Sequence, residues 1–137
     1  MKKHIVSFIV ALLAVAYVTQ AQTPTAVGDK ESGLAAVYSD SLNGHTTASG
    51  QRFDQGKMTA AHKTLPFGTK IKVTNMKNNK SVVVRVNDRG PAQAGRILDI
   101  SQSAAAKIGI PKTAMREVTL EVIEIGNGKT SHQSGGQ

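Results

Sequence analysis

The chain has 137 residues, 17 Lys and Arg against 9 Asp and Glu, and no cysteine. That length suits one domain. The missing cysteines exclude disulfides, thiolate metal sites and a cysteine-borne lipid anchor. A formal net charge of +8 favours an anionic partner. Nucleic acid is a poor fit, because the basic residues are dispersed and aromatics make up only 4% of the chain, too few for a base-stacking platform.

Met1 to His4 is basic, Ile5 to Val18 is an almost unbroken apolar run, and Thr19-Gln20-Ala21 offers small residues before a cut. This is the layout of a secretory signal peptide, so residues 1–21 are expected to be removed. The apolar run is about 14 residues, short of the roughly 20 that span a bilayer, and stable membrane insertion after cleavage is not expected. The alternative is a retained N-terminal anchor. Without Lys2 and Lys3, the cationic excess falls to fifteen against nine.

Residues 22–30 read as a linker, 31–125 as the folded domain, and 126–137, rich in Gly, Ser and Gln, as a disordered tail. Leu34–Tyr38 is a candidate strand. A helical turn is predicted around Gln55–Ala60. Thr69–Thr74 alternates polar and apolar residues, Asn78-Asn79 marks a turn, and Ser81–Val86 is rich in β-branched residues. Together they predict an antiparallel hairpin. Gln102–Ile108 reads as a helix, capped by Asp99 or Ser101 and stopped by Gly109 and Pro111. Val118–Ile125 alternates again. Several short strands with one helix predict a mainly β fold closed into a small barrel, since closure removes exposed edges.

Three segments carry more polar chemistry than a minimal barrel requires: Thr46–Asp54, Thr59–Thr69, and Val86–Pro91 followed by Gly95–Ser101. The third places the carboxylate of Asp88 and the guanidinium of Arg89 where an apolar strand ends at Gly90-Pro91. A strand end at a barrel mouth is where a rigid scaffold presents a catalytic group. The same residues also suit a plain turn with a solvated arginine. No histidine–carboxylate spacing suggests a metal, and no cofactor is expected. Asp54 reads as the cap of the turn that follows it.

Gly33–Tyr38, Thr47-Ala48-Ser49-Gly50, Thr59–Pro66 and Asn87-Asp88-Arg89-Gly90-Pro91 together resemble the rare lipoprotein A-like family of lytic transglycosylases. The resemblance runs from Gly33 to Ile125. It implies a six-stranded double-psi β-barrel related to expansin and barwin barrels. It also implies peptidoglycan glycan strands as substrate and non-hydrolytic cleavage between N-acetylmuramic acid and N-acetylglucosamine. By this resemblance Asp88 is the catalytic acid and base and His62 its catalytic companion, although a lone histidine read from the residues alone is structural. Many family members carry Glu where this chain has Gln51, which can hydrogen-bond a sugar but cannot exchange a proton at neutral pH. Tyr38 could stack on a sugar or belong to the core. Arg89 and Arg96 could grip carboxylates, and Asp99 could face substrate or cap the helix. The implied protein is a monomer, exported to the periplasm or cell exterior and associated with the wall. A second reading is an expansin-like module that binds the wall without cutting it.

Overall fold

The computed structural model describes residues 23–129. The expected signal peptide and residues 130–137 of the expected tail lie outside the described residues. Six strands form: β1 (Lys30–Val37), β2 (Thr59–Ala61), β3 (Lys70–Asn75), β4 (Ser81–Asp88), β5 (Arg96–Ile100) and β6 (Arg116–Glu124). Between β5 and β6 lies the helix α1 (Gln102–Lys107), and a 3-10 turn, Asp40–Leu42, follows β1. The strands close in the order β1-β5-β2-β4-β3-β6. β1 with β5 and β2 with β4 are parallel, and the remaining neighbours are antiparallel. This is the small, mainly β closed barrel that the strand pattern predicted and the six-stranded double-psi barrel that the resemblance implied.

Alternation does most of the folding. Ile71 and Val73 of β3, Val84 and Val86 of β4, and Val118, Leu120 and Val122 of β6 all point inward with period two, as half-buried strands must. Leu98 and Ile100 of β5 join them, and α1 adds Ala104, Ala105 and Ile108 to the same core. Each Val, Leu or Ile so buried stabilises the barrel by about 1.5–3 kcal/mol relative to exposure. The predicted hairpin forms as β3–β4, in register from Lys70↔Arg85 to Thr74↔Ser81. Ser101 caps α1, its hydroxyl accepting from the Ala104 N–H at 3.3 Å. Among the described residues, no helix is long and apolar enough to cross a membrane.

Two strands were not legible as strands. The helical turn predicted around 55–60 gives way to β2, because Ala60 and Ala61 pair with β4 on one side and β5 on the other. Alanine favours helix locally, but two flanking ladders outweigh that preference and leave room only for small side chains. β5 was hidden by its brevity and its two charges, Arg96 and Asp99. β1 starts earlier than expected, since its pairing with β6 begins at Lys30↔Glu121.

After β6, Gly126 donates its N–H to the Thr69 hydroxyl at 3.0 Å and lies against the backbone of Phe67, Gly68 and Thr69. A Cβ at Gly126 would meet that backbone well inside van der Waals contact. Gly126→Ala is therefore expected to cost about 1–3 kcal/mol, the usual range for overpacking. A thermal melt of the two proteins checks this, and an unchanged Tm would show that the contact yields without strain.

Candidate active site

Asp88 is the last residue of β4. Its Oδ1 accepts from the backbone N–H groups of Ala48 and Arg89, each at 2.9 Å, and its Oδ2 accepts from the Tyr38 hydroxyl at 2.7 Å. A carboxylate offers about four acceptor directions, so three fixed donors leave one direction on Oδ2 for a ligand. The register break between Ala60 and Ala61 makes Asn87 the extra residue of a bulge. Val86 and Asn87 are both buried, while Asp88 is half-exposed. Re-aiming a side chain at a rim is what bulges do.

Tyr38 follows β1 and is only 8% exposed. Its ring stacks on Phe53 with centroids 4.1 Å apart. Both alternatives from the sequence thus meet in one residue: the ring packs with Phe53 and Ala61 in a small apolar cluster, and the hydroxyl reaches the site. Burial, and then the bond to Asp88, push the phenol far above its ordinary pKa, so Tyr38 remains a proton-bearing donor at any physiological pH. Gln55 locks this corner. Its side-chain amide donates to the carbonyls of Tyr38 and Ser39 and accepts from the Gln102 N–H, tying the end of β1 to the start of α1.

Ala61 stands opposite Asp88 on β4 and opposite Asp99 on β5. Residues directly opposite share one face of a sheet, so the two carboxyl groups flank the methyl of Ala61. Asp99 is ion-paired to Arg96. Burial raises the Asp99 carboxyl above its ordinary pKa, Arg96 opposes that shift, and the charge of Asp88 adds to it. Arg96 and Asp99 therefore pair with each other, while the Arg96 Nε is buried without a hydrogen-bond partner. The capping role considered for Asp99 falls to Ser101.

His62 is 2% exposed and its side chain does not bond to Asp88. Its Nδ1 accepts from the Thr64 and Leu65 N–H groups at 3.1 and 3.0 Å, and its Nε2 lies 3.1 Å from Glu31 Oε1. Two donors at Nδ1 place the ring proton on Nε2, directed at Glu31. The His62 backbone N–H donates to the Asp88 carbonyl at 3.2 Å. Arg89 reinforces the same turn, donating to the carbonyls of His62 and Leu65 at 3.3 and 2.7 Å and lying 4.1 Å over the Phe67 ring. Gln51 accepts from the Asn87 side-chain amide at 3.3 Å, which ties the Thr47–Gln51 loop to β4 beside Asp88. Asp54 accepts from the Gly56 N–H at 2.8 Å, the turn cap expected from the sequence.

Residues 30–120 match the family model described as lytic transglycolase. The chain belongs to the lytic transglycolase family. Among its relatives, the endolytic peptidoglycan transglycosylase RlpA of Vibrio cholerae is 51% identical over 98 residues, covering 72% of this chain and 37% of the relative. The protein of the same name from Campylobacter jejuni is 44% identical over 110 residues, covering 80% and 40%. The chain thus spans well under half the length of these relatives. Among solved structures, the expansin of Clavibacter michiganensis superposes with a TM-score of 0.56 at 22% identity, covering 73% of this chain and 53% of that one. The Streptomyces papain inhibitor gives 0.55 at 22% identity, covering 72% and 97%. Both show the shared barrel fold.

In this lytic transglycolase barrel, the upward shift of Asp99 has a stability consequence. A carboxyl whose folded pKa is raised binds its proton more tightly when folded, so its ionised form costs stability above that pKa. Asp99→Asn is therefore expected to raise Tm at pH 7. The gain should shrink as pH falls through the Asp99 titration and vanish below the ordinary carboxyl pKa. Melts across a pH series check this, and a variant less stable at pH 7 would show that the Arg96 pair outweighs burial.

Proposed function

We propose that this domain is an exported, wall-associated lytic transglycosylase acting on peptidoglycan glycan strands, with Asp88 as acid and base. The observation that carries the reading is the hold on Asp88: two backbone N–H groups and one buried phenol fix a carboxyl group at a barrel rim with one acceptor direction left on Oδ2. The relatives' names support the substrate class.

That hold suits one carboxyl group acting twice in the lytic step. Protonated Oδ2 gives its proton to the glycosidic oxygen as the muramyl C1–O bond breaks. The muramyl C6 hydroxyl attacks C1 and closes a 1,6-anhydro ring. Its proton passes to the Asp88 carboxylate, which restores the starting acid. No water is consumed, because the nucleophile is already part of the substrate, and this supplies its proximity. Hydrolytic glycosidases pair two carboxyl groups because one must activate or replace water; here one is sufficient, and Gln51 need not ionise. Tyr38 holds Oδ2 in place throughout as a permanent donor. His62 and Arg89 act as positioning residues through the 62–65 turn that carries the Asp88 backbone. Asp99, on the far side of Ala61, faces the substrate with Arg96.

Incubating purified glycan strands with the protein tests cleavage against binding alone. Soluble fragments are expected. Strands that only sediment with bound protein would favour an expansin-like module.

A further inference from the structure

Alternation divides the side chains of β1 between two faces. Glu31 and Gly33 stand opposite Leu120 and Val118 of β6, and directly opposite residues share a face. Both therefore belong to the inner file, with the fully buried Ala35. A carboxylate at an inward position costs free energy that a Val or Leu there would not. Glu31 is only 18% exposed, and its Oε1 lies 3.1 Å from His62 Nε2. A strand that breaks its own apolar pattern in this way marks a place to look for function.

The ring that Glu31 meets is fully used. Nδ1 accepts from the Thr64 and Leu65 N–H groups, so Nε2 carries the proton and donates it to Glu31. A carboxylate acceptor at Nε2 polarises the imidazole and strengthens both bonds at Nδ1. The turn fixed in this way grips Asp88 twice. The His62 N–H donates to the Asp88 carbonyl. The His62 and Leu65 carbonyls hold the Arg89 guanidinium, while the Arg89 N–H donates to Asp88 Oδ1. β1 thus reaches Asp88 by two routes: Tyr38, just past its end, bonds Oδ2 directly, and Glu31, near its start, closes a relay of hydrogen bonds to the same residue.

We infer that Glu31 is a positioning residue for Asp88, acting through the ring of His62. Its effect on rate rests on the glycan-cleaving reading above, and its effect on geometry rests on the bonds alone. A role in filling space would be met by any side chain of similar size. A positioning role requires an acceptor at Nε2.

Three substitutions separate these roles. Glu31→Gln keeps an oxygen acceptor at the same reach, Glu31→Ala removes it, and Glu31→Asp draws it back by one methylene. Rates on glycan strands are taken well below each Tm, per folded molecule by circular dichroism. Glu31→Ala and Glu31→Asp are expected to lower kcat about tenfold with KM within about twofold of wild type, the sign of lost alignment. Glu31→Gln should recover most of that loss. Glu31→Ala/His62→Ala should be no slower than His62→Ala, because residues that act through one another are not additive. The amide NMR signals of Ala48 and Arg89, whose N–H groups donate to Asp88, should shift in the Ala and Asp variants and hold their place in Glu31→Gln. Wild-type kcat in Glu31→Ala, a Gln variant as slow as the Ala variant, or unmoved Ala48 and Arg89 signals would overturn the inference. If Glu31→Ala does not fold, Glu31→Asp carries the same test. If wild type releases no fragments, the cleavage reading fails and the amide signals alone decide the place of Glu31.

Discussion

Asp88→Asn is expected to lower the rate of fragment release by about 10²- to 10⁴-fold, the usual contribution of a general acid and base, and to leave the fold intact. The side-chain bonds explain the second half. Asparagine keeps an oxygen where Oδ1 accepts from the Ala48 and Arg89 N–H groups. Its amide can donate to the Tyr38 hydroxyl oxygen, since a phenol can accept as well as donate. The loop over the site therefore stays anchored and binding to sacculi should change little, but no proton is exchanged. Rates on stripped strands, with circular dichroism of both proteins, measure this. A variant that cuts at the wild-type rate would remove Asp88 from the chemistry.

His62→Ala is expected to act on stability instead. It empties a fully buried site, leaves the Thr64 and Leu65 N–H groups without their acceptor, and strands Glu31. Each buried group left unpaired costs about 1–3 kcal/mol, so a total of about 2–4 kcal/mol is reasonable. For a domain of this size that lowers Tm on the order of 10–20 °C. Well below the new Tm, the rate per folded molecule should remain far closer to wild type than that of Asp88→Asn. A His62→Ala protein as stable as wild type yet inactive would mean that the ring takes part in the reaction directly.

The sequence carried the barrel because its longest strands alternate cleanly: Ile71 and Val73, and Val118, Leu120 and Val122, announce their inner faces. It did not carry β2, because Ala60 and Ala61 hold no strand signal until β4 and β5 lie on either side. Asp88 was legible from its place at an abrupt strand end. Its holders were less so: Ala48 contributes only a backbone N–H, which leaves no side-chain signature, and Phe53 and Gln55 sit far from Tyr38 in the chain. Long-range pairing also settled the arginines. Nothing in the order of residues marks Arg89 as bound to the carbonyls of His62 and Leu65. The place of Gln51 follows the same logic. It bonds Asn87 beside Asp88, at the bulge in β4.

The most direct measurement is cleavage of stripped glycan strands in heavy-oxygen water, followed by mass spectrometry of the fragments. Internal attack by the muramyl C6 hydroxyl predicts ends bearing 1,6-anhydro-muramic acid with no heavy oxygen, absent with Asp88→Asn. Fragments ending in a reducing muramic acid that carries heavy oxygen would contradict the account and identify a hydrolase.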